Sequence, residues 1–244
     1  MNRTDKVSPI EKTQMVDFSR LDFVASRIMY RIMNEKCQQL QEMPHIRFLD
    51  LAVVFYVQLG EGKGQMLTVR VTNELARLWK VTPEGLWKLA QANMLREHPP
   101  VIKDILEVMK EGLQGEAVLL EGWEEIEEDQ KLYVLTNEWG IWGAASILYP
   151  QILERFAASQ GKDLVIIPSS IHEMLLLVLT PNMDVRDLER MIQAVNEEDV
   201  LPEERLSNRA YGYSRKRKRL MLLSEMLSPD TKAAETGQRA FGVC

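Results

Sequence analysis

Phe48-Leu49-Asp50-Leu51-Ala52-Val53-Val54-Phe55-Tyr56-Val57-Gln58-Leu59, the loop Gly60-Glu61-Gly62-Lys63-Gly64 and the run Met66-Leu67-Thr68-Val69-Arg70-Val71 decide the fold class. Both runs are rich in β-branched and aromatic side chains and read as strands, and the glycines between them form a flexible reversal. Strands joined this closely pair antiparallel, because a parallel pair needs a long crossover. The pattern returns at Leu164–Ile167 and His172–Leu179, two strands joined by the corner Pro168-Ser169-Ser170. Helical patterns fall in blocks and do not alternate strictly with the strands. The class is therefore α+β, with antiparallel or mixed sheets and flanking helices.

Outward from the hairpin, residues 1–16 read as a frayed leader. Leu21, Val24, Ile28 and Ile32 recur at helical steps and predict a helix over 17–43, ended by Pro44. Helices are expected over 73–80 and 83–95, the second opened by Thr82 as N-cap with Pro83 at the first helical position. A third is expected over 101–113. The acidic stretch 115–130 reads as a linker between two sub-parts, 17–114 and 131–213, with a basic, flexible tail over 214–244. In the second sub-part, 132–135 reads as a strand and 139–148 as a turn and a further strand. A helix opens at Pro150, carries Ile152, Leu153, Phe156 and Ala157 on one face and stops at Gly161. Another starts at the N-cap Asp184, buries Val185, Leu188, Met191, Ile192 and Val195, and ends near Asn196; Tyr211-Gly212-Tyr213 reads as an edge strand.

Composition narrows function mainly by exclusion. A hydrophobic share of 45% over 244 residues supports a packed core. The longest apolar runs, 51–57 and 174–179, fall well short of the roughly 20 residues a membrane-spanning helix needs. The polar N-terminus lacks the apolar region of a secretory signal, and Cys37 and Cys244 give no metal or disulfide spacing. These features predict a reduced, cytoplasmic protein with no membrane partner, no metal and no cofactor. A net charge of −6 argues against nucleic acid as the general partner, although Arg215-Lys216-Arg217-Lys218-Arg219 is a local basic run.

Four motifs approach known chemistry. Residues 73–93 resemble a helix-turn-helix, with Ala76, Val81 and Leu86 at the packing positions. Its second helix begins with Pro83-Glu84 and offers few base-reading side chains, so a structural hairpin is expected. His172-Glu173 evokes a zinc-protease helix, but Leu176 stands where the second histidine belongs, and the chain holds only 3 histidines. The Gly60–Gly64 loop lacks the Lys-Ser/Thr ending of a phosphate loop. Ser170 and His172 would share one face of an extended strand, which opens a hydroxyl–imidazole contact. The alternative is that Ser169 and Ser170 satisfy backbone groups at the corner.

The blocks Phe48–Tyr56, Thr72-Asn73-Glu74-Leu75, Leu132–Asn137, Gly143-Ala144-Ala145, Leu148-Tyr149-Pro150 and Ile167–Glu173 occur in this order. Asn196 and Leu206-Ser207 before Tyr211 follow them. In this series the chain resembles a domain-of-unknown-function family of anaerobic, largely gut-dwelling bacteria that carries the Pro-Ser-Ser-Ile-His-Glu motif, over roughly residues 20–215. The resemblance implies no activity. The second half is also similar, more distantly, to a family that keeps the Pro-Ser corner without the His-Glu pair, which implies that the fold does not require His172.

Three functions follow as expectations. The first is a cytosolic binding or adaptor protein for a protein or small-molecule partner, using Asn137, Tyr149, Ser169 and Asn196 as ligand-binding residues near the corner. The second is a hydrolase or transferase with His172 as general base and Ser170 or Glu173 as its partner. The third is a nucleic-acid-associated protein using 215–219 or the helical pair.

Overall fold

The computed structural model describes residues 17–62, 65–112 and 130–228. The first sheet comprises β1 (Ile28–Asn34), β2 (His45–Phe48), β3 (Leu51–Gly62) and β4 (Gln65–Arg70). β3 is central. It pairs antiparallel with β1 from Ile28↔Val57 to Asn34↔Leu51, and on its other edge with β2 and then β4. The antiparallel strand pair read from sequence is present, although its first strand starts at Leu51 and runs on to Gly62, through residues read as loop.

The helix expected over 17–43 is not. Only α1 (Leu21–Val24) and short 3-10 turns are helical, and β1 occupies the centre of the segment. Ile28 and Ile32 are four residues apart, a spacing that suits a helix and one face of a strand alike. Ile28, Tyr30 and Ile32 are all buried, so the strand reading prevails once β3 supplies a partner.

The second sheet runs β10 (Arg219–Leu222), β9 (Tyr211–Ser214), β7 (Leu164–Ile167), β8 (Met174–Val178), β6 (Tyr133–Asn137) and β5 (Pro100–Asp104), with every pair antiparallel. The helix expected over 101–113 does not begin at Val101, because residues 100–104 form β5. Val101 and Ile102 are β-branched and pair with Thr136 and Leu135 of β6. The helix α4 (Ile105–Gly112) begins only afterwards, where Asp104 Oδ1 accepts the Leu106 N–H at 2.8 Å. β5 thus carries the first sub-part into the sheet of the second. The acidic stretch 115–130 lies almost wholly outside the described residues.

α2 (Asn73–Leu78) and α3 (Pro83–Glu97) form the helical hairpin, each capped by a threonine hydroxyl. α3 buries Leu86, Ala90, Asn93 and Met94, and Asn93 Nδ2 donates to the Ala25 and Ile28 carbonyls at 2.7 and 2.8 Å. One apolar core holds Tyr30, Phe55 and Leu86 together with Leu135, Leu164 and Met174, so the two sheets share it.

Residues 139–148 contain no strand; Gly143–Leu148 is a fully buried 3-10 segment whose first four residues, Gly143 to Ser146, are small enough to thread against β6. α5 (Ile152–Gln160) ends at Gly161, whose φ of +67° suits glycine. α6 (Val185–Glu198) starts where Asp184 caps the Arg186 and Asp187 amides. Its inner face is narrower than the sequence indicates: Ile192 and Asn196 are buried, whereas Met191 and Val195 are 52% and 46% exposed.

Residues 214–228 are folded rather than tail-like. β9 lies inside the sheet between β7 and β10, and α7 (Leu223–Leu227) follows. The basic run forms the β9–β10 turn and is partly neutralised by the chain itself. Lys218 pairs with Glu154 at 2.6 Å.

Candidate functional site

The Pro168–Glu173 corner precedes β8, so its side chains do not alternate as they would along a strand. It is a bend that closes on itself. The Ser170 amide donates to the Glu173 carbonyl at 3.3 Å, and Ser170 Oγ accepts the His172 amide at 3.0 Å. The hydroxyls of Ser169 and Ser170 both donate to Glu173 Oε1 at 3.3 Å. Ser170 therefore meets the His172 backbone and the Glu173 carboxylate, not the imidazole. The shared strand face expected for Ser170 and His172 is lost because β8 starts two residues after His172.

The imidazole bridges two other segments. The Trp142 N–H donates to His172 Nδ1 at 3.2 Å, and Nε2 lies 3.3 Å from Glu204 Oε1. With Nδ1 accepting, the proton of the neutral ring sits on Nε2 and is donated to Glu204. Around it the backbone is tied as well: Ile171 N–H donates to the Glu204 carbonyl at 2.9 Å, and Thr136 Oγ1 to the His172 carbonyl at 2.9 Å. Gly143 lies so close that a Cβ would fall on Thr136 Oγ1, 2.6 Å from the His172 carbonyl oxygen and 2.7 Å from the Asn137 nitrogen. Only glycine fits there.

Trp142 extends this connection into the first sheet. Its backbone is left-handed, with φ at 51°, which costs energy for a residue with a Cβ. The indole lies over Arg31, with Cζ 3.1 Å from the ring centroid, and on β3 the Tyr56 ring lies 3.9 Å from the same carbon. Arg31 Nη2 donates to Thr68 Oγ1 on β4 at 2.7 Å. Burial pulls the Arg31 guanidinium down to about 10, with the neighbouring Tyr56 acting in the opposite direction. Glu204, His172, Trp142, Arg31 and Tyr56 thus form one continuous series of contacts.

The structure brings Ser169, Ser170, His172 and Glu173 together and scatters the other expected site residues. Asn137 is buried near the corner, but its side chain closes a local turn, donating to the Ile141 carbonyl at 2.9 Å and accepting the Trp139 amide at 3.0 Å. Tyr149 is buried behind α3, its hydroxyl donating toward the Met94 carbonyl at 2.9 Å and the His98 carbonyl. Asn196 is buried on α6 and donates to the Ser207 carbonyl at 3.1 Å and Asn208 Oδ1 at 2.7 Å.

Ser207 belongs to a second polar clasp. Its hydroxyl donates to Asp50 Oδ2, the Tyr211 hydroxyl donates to Asp50 Oδ1 at 2.7 Å, and the Asn34 side-chain amide donates to the Leu206 carbonyl. Burial, and then the Asp50 charge, push the Tyr211 phenol well above its ordinary range.

Sequence reasoning missed Trp142, Glu204, Gly143 and Arg31 as neighbours of the corner. Arg31 carried a readable signal, a lone cation inside the apolar run Ile28-Met29-Tyr30-Arg31-Ile32-Met33. No local pattern marks a tryptophan for a left-handed turn or a loop glutamate for a distant imidazole. Among the described residues no group of three or more His, Cys, Asp or Glu could hold a metal ion, and no helix is long and apolar enough to cross a membrane.

Two antiparallel sheets around a shared core, clasped by buried polar side chains and by the 168–173 corner, define an α+β protein. The chain belongs to a family of unknown function, DUF5688, whose model matches residues 1–215. No curated protein and no solved structure matches it.

Proposed function

We propose that this is a cytosolic bacterial protein that binds a partner or small molecule without transforming it, the corner serving as a rigid scaffold for the binding surface. One observation carries the reading. Both ring nitrogens of His172 are occupied, by the Trp142 amide and by Glu204, so the imidazole is positioned to hold loops rather than to deprotonate Ser170. Among the described residues the acceptor for the Ser170 proton is Glu173, and a carboxylate is a poor base for an alcohol. A left-handed tryptophan held in place by hydrogen bonding is the kind of strain that functional surfaces keep.

The test is a thermal-shift screen of metabolites, followed by NMR of the stabilising compound after prolonged incubation. A compound that stabilises the protein and is recovered unchanged supports a binding role. Turnover of ester, amide or phosphate substrates that disappears in His172→Gln would instead establish the hydrolase or transferase alternative.

A further inference from the structure

The outer face of the first sheet gathers positive charge without a counter-charge. β4 lies against β3 with Tyr56 opposite Arg70 and Gln58 opposite Thr68, so Thr68 and Arg70 project from the face that carries Tyr56. From β1, on the far side of β3, Arg31 reaches across the Tyr56 ring to the Thr68 hydroxyl. That reach brings its guanidinium next to the β4 residue two places before Arg70, about 7 Å along the strand. Two arginines thus share one half-buried face of the sheet. Among the described residues neither has a carboxylate within ion-pair distance, although the other ion pairs of the fold show how readily this acidic chain supplies one.

Arg31 is also incompletely satisfied. Its Nε is buried with no hydrogen-bond partner, while the Tyr56 and Trp142 rings both lie against its guanidinium. Stacking on Tyr56 and Trp142 fixes the plane and limits the side-chain entropy that binding would otherwise cost. A desolvated cation without a counter-ion, held rigid beside a second arginine, is what bidentate recognition of an oxyanion requires.

We propose that Arg31 and Arg70, with the Thr68 hydroxyl between them and Trp142 as the wall, form a binding site for the phosphate or carboxylate group of a small molecule. The proposal rests on the reading of the protein as a binder and names the chemistry of its ligand. The chain of contacts from Glu204 through His172 to Trp142 gives the corner its part in it, because the corner sets the position of the wall.

The experiment uses the full chain and two probes, inorganic phosphate and malonate, at constant ionic strength against sodium chloride. Thermal shift and isothermal calorimetry are read on the wild type, Arg70→Gln and Arg31→Lys. Among the described residues the Arg70 side chain makes no hydrogen bond or ion pair, so Arg70→Gln is expected to melt with the wild type in chloride and to bind the favoured anion at least tenfold more weakly. Arg31→Lys keeps the charge but lacks the planar fork, and is expected to weaken binding by a similar factor. Saturation by phosphate alone assigns a phosphoryl ligand, and saturation by malonate alone or by both assigns a carboxylate-accepting site. The proposal is overturned if neither anion stabilises beyond the chloride control, or if both variants bind the anion as tightly as the wild type does. In that case a stabilising metabolite from the wider screen would leave the binding role standing without this site, and the absence of any such metabolite would remove both.

Discussion

The Tyr211 hydroxyl on β9 donates to Asp50 Oδ1 at 2.7 Å, joining the second sheet to the β2–β3 turn of the first across 161 positions of sequence. The same carboxylate takes the Ser207 hydroxyl, so Asp50 is held from the second half of the chain through both oxygens. Tyr211→Phe removes one of these donors and leaves a charged oxygen unpaired in a half-buried setting. The expected loss is about 1–3 kcal/mol, read as a lower urea midpoint at unchanged slope. A double-mutant cycle with Ser207→Ala should show coupling between the two, because they share one carboxylate.

Gly143→Ala addresses the corner from the other side. Two of the three atoms its Cβ would meet are backbone, the His172 carbonyl and the Asn137 nitrogen, and cannot swing away. Overpacking of this kind costs about 1–3 kcal/mol, here at the upper end, so the variant should melt several degrees below the wild type.

Replacing His172 by alanine leaves the Trp142 N–H and Glu204 without their shared partner. The expected loss of stability is about 1–2 kcal/mol, since the imidazole is only partly exposed. A melt indistinguishable from wild type would show that the loops hold without it, as the more distant family resemblance implies.

Three buried phenols make the fold sensitive to base. Burial raises Tyr30, Tyr149 and Tyr211 above the ordinary tyrosine value, with Tyr149 and Asp50 adding to the effect on Tyr30 and Tyr211 respectively. In the unfolded chain they ionise near pH 10. Their contribution to stability is therefore complete below about pH 10 and is lost as pH rises toward the folded values. Arg31, held down to about 10, acts in the opposite sense, one group against three. Titration at 295 nm should show these tyrosines ionising in step with the loss of circular dichroism. Ionisation ahead of unfolding would mean that they are not buried.

Local chemistry was legible where one residue type does one job. Thr82 and Asp184 cap helices and Gly161 ends one, as their side chains and spacings indicate, and the two strands that flank the glycine-rich stretch pair antiparallel. It was illegible where a four-residue step serves two structures, as at Ile28 and Ile32, and where the partner strand is distant, as for β5. The corner itself could be read, but not the direction of its imidazole. That depends on Trp142 and Glu204, 30 residues before and 32 after, and neither carries a local mark of its role.

The Asp50 clasp has a consequence for the order of synthesis. Ser207 is 157 residues beyond Asp50, and at about 5–20 residues per second a ribosome needs roughly 8–30 s to add them. During that interval the β2–β3 turn is made while its two hydroxyl donors do not yet exist. The hairpin core of the first sheet can form on emergence, but its carboxylate stays in water until the last strands arrive. Completion of the fold is thus deferred to a late, non-local closure, the slow class of folding step.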